Sequence, residues 1–247
     1  MKSEQIKNVC YLLFTLFFVY IILFEFILPI NKVLPKPSIL FESFTHLWTF
    51  YNLGIAITST VGVVYISIFI GYVIVWLGRG FIIKNLVQFE NSISSLQLFR
   101  YIQAFFVIIL FTFWFEYLLW AQFLFAVIAF IFLLVRAIKK EIPSVRKEYI
   151  ETALNLNPGK IYSEIYWNSI LPNLFDELLH IHYYLWSLVI IYEFISNSFG
   201  LGEMYRLILS YNDFGALIAL GLIISLIIWL GSCMIRYAKN KLAFWES

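Results

Sequence analysis

The chain has 247 residues, of which 62% are hydrophobic, 20% are aromatic and only 13% are charged, and its formal net charge is +2. A soluble domain carries about 25% charged residues, so this composition excludes an ordinary water-exposed globule and indicates a protein that lies mostly in lipid. The small net charge gives no support for nucleic-acid binding. Cys10 and Cys233 lie far apart in apolar stretches, and they predict neither a disulfide framework nor a metal motif.

Long apolar runs without alternation predict helices, because a chain in lipid must satisfy its backbone hydrogen bonds internally. A helix needs about 20 apolar residues to cross the hydrocarbon core. The first run is predicted to be a retained helix, since no small-residue cleavage site follows it. We predict a single all-α membrane domain over residues 1–247, with six transmembrane helices at residues 9–30, 53–77, 101–115, 117–135, 174–195 and 214–235.

The third and fourth spans come from one apolar block between Arg100 and Arg136, interrupted only by Glu116. As a single helix this block would reach roughly 50 Å at about 1.5 Å per residue, which is too long for one crossing. No Gly or Pro marks a turn at Glu116. We nevertheless predict the break there, because six spans are needed for a consistent charge pattern.

The distribution of basic residues predicts the orientation of the chain. With six spans and a cytoplasmic N-terminus, the outer segments hold only Lys32, Lys36 and Arg206 of the 17 Lys and Arg. The remaining basic residues fall on cytoplasmic segments, as the positive-inside rule requires. Both termini are therefore predicted to be cytoplasmic, and residues 78–100 are predicted to form an inner interfacial stretch.

The longest inner segment predicts a helix–turn–helix. Its first helix is expected to begin near Ser144, which can act as an N-cap. Asn157, Pro158 and Gly159 are expected to end that helix, because proline disfavours helix in the residue before it and glycine permits a turn. A second helix, from about Lys160, is predicted to lead to Leu171-Pro172 at the membrane entry.

This segment resembles the EAA loop of binding-protein-dependent ABC transporter permeases. The resemblance rests on Glu151 and Ala153, then Gly159, then Ile170-Leu171-Pro172. Asn157 stands where the family's glycine would fall if it were counted from Glu151.

Two flanking elements resemble the nitrate/sulfonate/taurine-type branch of that family. One is Leu34-Pro35-Lys36-Pro37-Ser38 followed by an amphipathic stretch. The other is Glu193 followed by Gly200-Leu201-Gly202 in the outer loop after the fifth span. The resemblance covers about residues 34–240, although the third and fourth spans lack the Pro and Gly usual in the family.

The resemblance implies the type I importer permease fold, with a cytoplasmic coupling loop at residues 137–172. It implies a homodimer that works with two ABC ATPase subunits and an external solute-binding protein in the cytoplasmic (inner) membrane. Residues implied to couple to the ATPase are Glu151, Ala153, Asn157, Gly159, Leu171 and Pro172. Those implied to contact the pathway or the binding protein are Glu193, Gly200 and Gly202.

The same resemblance implies that this chain is not an enzyme. ATP would be hydrolysed by the partner subunit, and no catalytic residue, cofactor or metal site is expected here. The solute would be a small one, such as a nitrate-, sulfonate- or taurine-like anion.

Other polar residues leave alternatives open. Asp176, Glu177, His180 and His182 crowd the start of the fifth span, and ionisable groups inside a membrane are often functional. They are expected to be interfacial or interhelical, with a metal or proton site as the alternative. That alternative would make the chain an ion- or proton-coupled secondary transporter. A third possibility is a membrane assembly protein without transport activity.

Two further positions have alternative interpretations. Thr58-Ser59-Thr60 with Gly62 favours close helix packing and is a candidate subunit contact. If Glu193 does not contact the pathway or a binding protein, it is expected to snorkel to the membrane interface.

Overall fold

The structure is a computed structural model that describes residues 2–27, 35–88, 103–115, 120–145, 151, 160–196 and 198–242. Every regular element in these ranges is helical, which confirms the all-α prediction. The helices are α1 Lys2–Ile21, extended by a π-helical turn Ile22–Ile27; α2 Pro37–Thr49; α3 Leu53–Leu77; α4 Arg79–Gln88; α5 Ala104–Trp114; α6 Ala121–Glu141, followed by a 3₁₀ turn Ile142–Ser144; α7 Lys160–Ser196; α8 Leu201–Ser210; and α9 Phe214–Leu242.

Four of the described helices are long and apolar enough to cross a membrane, namely α3, α6, α7 and α9. Two shorter apolar helical segments, Phe14–Ile27 and Ala104–Trp114, fall below that length. The composition-based prediction of a membrane protein is therefore supported, and six spans remain a prediction.

The apolar block around Glu116 is divided, as predicted. Helix α5 ends at Trp114 and α6 begins at Ala121, while residues 116–119 lie outside the described part of the chain. Phe111, Phe125 and Tyr192 pack against one another and join α5, α6 and α7. Aromatic packing thus joins α5 and α6 to α7.

The helix predicted from about Lys160 to Leu171-Pro172 and the fifth span predicted over residues 174–195 form one continuous helix. One helix, α7, runs for 37 residues from Lys160 to Ser196 with Pro172 inside it. Proline removes one backbone hydrogen bond, the one to the carbonyl of residue 168, and tends to kink a helix. The packing of Ile170 and Leu174, both fully buried, continues across this point.

The described residues group into two compact units. The first combines Met1–Ile55 with Met204–Ser225. In it, Glu25 accepts hydrogen bonds from the backbone N–H and the hydroxyl of Ser38, at 3.3 and 3.1 Å, and so caps the start of α2. Asp213 caps α9 in the same way by accepting from the backbone N–H of Ala216 at 2.9 Å.

The second unit combines Ala56–Glu203 with Leu226–Ser247. Helices α6 and α7 pack along each other and contribute most of its core. Its fully buried side chains include Phe130, Leu134, Ile138, Leu174, Leu185 and Trp186. Polar contacts of α7 lie in its first half and at Glu193 near its C-terminal end. These two regions make up the candidate site.

Candidate functional site

The C-terminal end of α7 carries a buried acid. Glu193 is 0% exposed. Its carboxylate accepts hydrogen bonds from Thr60 Oγ1 at 2.8 Å, from the backbone N–H of Gly202 at 2.8 Å and from Gln122 Nε2. These donors belong to α3, α8 and α6. A buried charge is costly unless it is well hydrogen-bonded, and here three elements supply the donors.

The two glycines after Glu193 are required by this arrangement. A Cβ at Gly200 would overlap with the Glu193 carboxylate, and a Cβ at Gly202 would overlap with the carbonyl oxygen of Ile190. Any larger residue would push the loop away from the carboxylate. The Glu…Gly-Leu-Gly pattern is therefore explained by close approach of the backbone to Glu193.

The same carboxylate caps the N-terminus of α8. Gly202 donates to Glu193, and the backbone N–H of Leu201 donates to Thr60 Oγ1 at 2.9 Å. Both N–H groups belong to the first turn of α8, where a helix has no internal acceptors and favours negative charge. We call Glu193, Thr60, Gln122, Leu201 and Gly202 the Glu193 lock.

The Glu193 lock changes two interpretations from the sequence. Snorkelling of Glu193 to the interface is wrong, because its side chain is completely covered. Thr60 is also fully buried and is bonded within its own chain, so it is not a free subunit contact. At Gly62, by contrast, a Cβ would meet no atom within 4 Å.

The first half of α7 is tied to three helices by polar pairs. Asp176 pairs with Lys239 of α9 at 2.7 Å, and Glu177 pairs with Lys140 of α6. Asn173 donates to Glu141 at 3.0 Å.

A fourth pair is looser: Glu164 lies 3.5 Å from Arg79 of α4. Exposed pairs of this kind contribute about 0–1 kcal/mol each, so they add little to the stability of the fold.

The acidic and histidine cluster is interhelical, as expected. The partners of Asp176 and Glu177 are lysines on neighbouring helices, and His180 is exposed. In the described part of the chain, no group of three or more His, Cys, Asp or Glu is placed to hold a metal ion.

His182 lies apart from that cluster and is 1% exposed. Its Nε2 accepts from the Trp186 indole at 3.0 Å and lies 3.2 Å from the Tyr65 hydroxyl. Because an indole N–H only donates, Nε2 is the acceptor and the ring proton is on Nδ1. Gly231 of α9 faces the same ring, and a Cβ there would overlap with the Tyr65 hydroxyl.

Only part of the predicted coupling set lies in the described residues. Glu151 is helical and exposed. Leu171 is half-buried and Pro172 is buried, both within α7. Ala153, Asn157 and Gly159, with most of the helix predicted from Ser144, lie outside the described residues.

Sequence reasoning missed the partners of Glu193. Gln122 is a lone amide at the start of an apolar span, and Thr60 is the last of three consecutive hydroxyl residues inside another. A polar side chain in a span is a signal that it has a polar partner. That signal marks both residues, but only the fold brings them to Glu193.

No family model, no curated protein and no solved structure matches this chain. The resemblance to ABC permeases therefore rests on the motifs themselves.

Proposed function

We propose that this chain is the membrane-spanning permease subunit of an ATP-driven ABC importer of small solutes. The observation that carries the proposal is the length of α7. Its 37 residues extend for roughly 55 Å at 1.5 Å per residue, against about 30 Å for the hydrocarbon core. The excess lies on the side of the predicted coupling loop, at residues 137–172.

In this proposal α7 carries movement from the ATPase into the membrane. Glu151, Ala153, Asn157 and Gly159 form the surface that enters a groove on the ATPase. Closure of the ATPase dimer on ATP would stabilise one permease state over the other, and a ligand shifts an equilibrium only by such a difference. Leu171 and Pro172 lie on α7 itself, so displacement of the loop moves the helix directly.

The polar pairs of α7 support the coupling role. Asp176–Lys239 and Glu177–Lys140 join α7 to α9 and α6 near the proposed input. The Glu193 lock joins its other end to α3, α6 and α8. Movement of α7 would then reach the outer segment at Gly200 and Gly202, where the proposed external solute-binding protein docks.

The exposed face of α7 is the reason for proposing a second permease copy. His180, Tyr183, Tyr184 and Ser187 are exposed although they lie in a helix that is long and apolar enough to span a membrane. Polar side chains in a span avoid lipid and face other helices or a water-filled space. A homodimer with a solute pathway between the copies would cover this face, and the solute is proposed to be a nitrate-, sulfonate- or taurine-like anion.

A pull-down tests the ATPase partnership. We expect an ABC ATPase to co-purify with the detergent-solubilised protein, and to be lost when residues 151–159 are replaced by a Gly/Ser linker of equal length. Lys84→Gln is the control, since Lys84 is an exposed charged residue on the same predicted face. Equal ATPase recovery from all three proteins would refute the proposed coupling surface.

The secondary-transporter alternative makes a different prediction at Asp176. A proton-coupled carrier that uses this carboxylate would lose uptake in Asp176→Asn. The ABC proposal predicts that uptake continues, because Asp176 forms an exposed pair with Lys239 and such pairs contribute little. Abolition of uptake with intact ATPase co-purification would favour the alternative.

A further inference from the structure

A cleft of about 280 Å³ lies where the end of α3 and the start of α4 meet the first part of α7. Its lining includes four aromatic residues: Tyr72, Trp76, Trp167 and Phe175. Its two charged groups are Arg79 and Glu164. Asn168, Leu171 and Leu242 complete the lining.

The two charges of the cleft are held close together but are weakly joined. Arg79 is held over the Trp76 ring at 4.8 Å by a cation–π contact. Its Nη2 lies 3.5 Å from Glu164 Oε1, at the outer limit of a hydrogen bond. A guanidinium has five N–H donors, so most of them are available to a bound anion. The Glu164 side chain is 47% exposed, so its carboxylate is accessible to a bound cation. The cleft therefore offers a cationic donor, Arg79, and an anionic acceptor, Glu164, in one small volume.

Exposed apolar side chains include the lining residue Leu242 and, close in sequence to the lining residues Trp76 and Arg79, Leu77 and Phe81. Leu77 is 71% exposed, Phe81 is 76% exposed and Leu242 is 57% exposed. Leu77 ends a helix that is long and apolar enough to span a membrane. The cleft thus combines a charged interior with an apolar approach at the end of a spanning helix, where Trp and Tyr commonly mark the membrane interface.

We propose that this cleft binds the headgroup of an aminophospholipid, with phosphatidylethanolamine as the matching chemistry. The phosphate would accept from Arg79, which forms bidentate contacts with phosphate. The primary ammonium would donate to Glu164, and the acyl chains would lie along Leu77 and Phe81. A zwitterion satisfies both charges, whereas an anionic headgroup alone would be repelled by Glu164. The inference does not depend on the transport proposal.

Native mass spectrometry of the detergent-purified protein tests the site with defined lipids. Phosphatidylethanolamine and phosphatidylglycerol are supplied in separate arms, and soluble glycerophosphoethanolamine distinguishes a lipid from a free headgroup. We expect the wild-type protein to retain phosphatidylethanolamine about tenfold better than phosphatidylglycerol, since one charge-assisted contact is equivalent to about that factor.

Two variants separate the two contacts. Arg79→Gln is expected to lower retention of both lipids by about tenfold. Glu164→Gln is expected to remove the preference for phosphatidylethanolamine while retaining phosphatidylglycerol. Arg136→Gln is the control, because Arg136 is an exposed arginine at the end of α6 with the same loss of charge. Size-exclusion profiles and unfolding temperatures establish that all variants are folded.

Three results would overturn the proposal. The first is equal lipid retention by Arg79→Gln and Arg136→Gln. The second is binding of glycerophosphoethanolamine as strong as that of the lipid, which would assign the cleft to a soluble ligand. The third is loss of a co-purifying protein from Arg79→Gln with unchanged lipid retention, which would make the cleft a protein-docking site.

Discussion

At the scale of single residues, the buried carboxylate of Glu193 joins α7 to α3, α6 and α8. Its carboxylate has no exposure to solvent and receives donors from three other elements. If Glu193 is replaced by Gln, the donors of Thr60, Gln122 and Gly202 compete for a single amide oxygen. An unsatisfied buried donor costs about 1–3 kcal/mol.

We therefore predict that Glu193→Gln lowers the free energy of unfolding by about 2 kcal/mol and the unfolding temperature by roughly 4–8 °C. Thermal unfolding in detergent, followed by tryptophan fluorescence, measures the change. Glu42→Gln is the matched control, because Glu42 is exposed on α2 and surface changes alter stability by less than about 0.5 kcal/mol. Equal unfolding temperatures for the two variants would contradict the Glu193 lock.

At the scale of elements, α9 lies against side chains of α3 and α7 at Gly231. A Cβ there would overlap with the Tyr65 hydroxyl and would lie 2.8 Å from His182 Nε2. Small residues permit such close approach of helices in lipid. The group formed by His182, Trp186 and Tyr65 thus packs α3 and α7 against α9. The proton of the His182 ring is on Nδ1.

Gly231→Ala is predicted to destabilise the protein by about 1–3 kcal/mol through overpacking. Gly221→Ala, on the same helix, is the control: its new Cβ would lie 3.6 Å from the Tyr205 hydroxyl, an ordinary contact. Because alanine is the better helix former, Gly221→Ala should be neutral or slightly stabilising. A smaller loss of stability in Gly231→Ala than in Gly221→Ala would show that the close approach does not exist.

At the scale of the whole molecule, the orientation of the chain is the property on which the transport proposal depends. Lys and Arg are concentrated in the segments predicted to be cytoplasmic. The end of α7 that meets the coupling loop must then face the cytoplasm, and α8 must face outward. This arrangement is a prediction from charge, since the structure contains no membrane.

Cysteine labelling measures the orientation. In a background with Cys10 and Cys233 replaced, Ser210→Cys on the exposed end of α8 should react with a membrane-impermeant maleimide in intact cells. Glu151→Cys should react only after the cells are opened, because Glu151 belongs to the predicted cytoplasmic loop. The reverse pattern would place the loop outside and remove the basis of the ATPase proposal.

Local composition was sufficient for the helices and for the membrane class. Apolar runs predicted α3 over its whole length. The break near Glu116 was predicted from the excessive length of the apolar block and from the charge pattern. Local signals did not indicate that the helix from Lys160 and the fifth span would be continuous through Pro172. Tertiary packing of Ile170 and Leu174 overrides one lost hydrogen bond.

The motif at Glu193 was visible in the sequence, but its physical meaning was not. The pattern Glu193, Gly200 and Gly202 suggested a function; only the fold shows that Gly200 makes room for the carboxylate and that Gly202 makes room for the backbone of α7 at Ile190. Likewise, Asp176 was expected to have an interfacial or interhelical role, whereas its partner Lys239 came from the structure. Hydrophobicity is a property of each segment and is read from the chain itself, while a hydrogen bond joins residues far apart in sequence and exists only once the helices have packed.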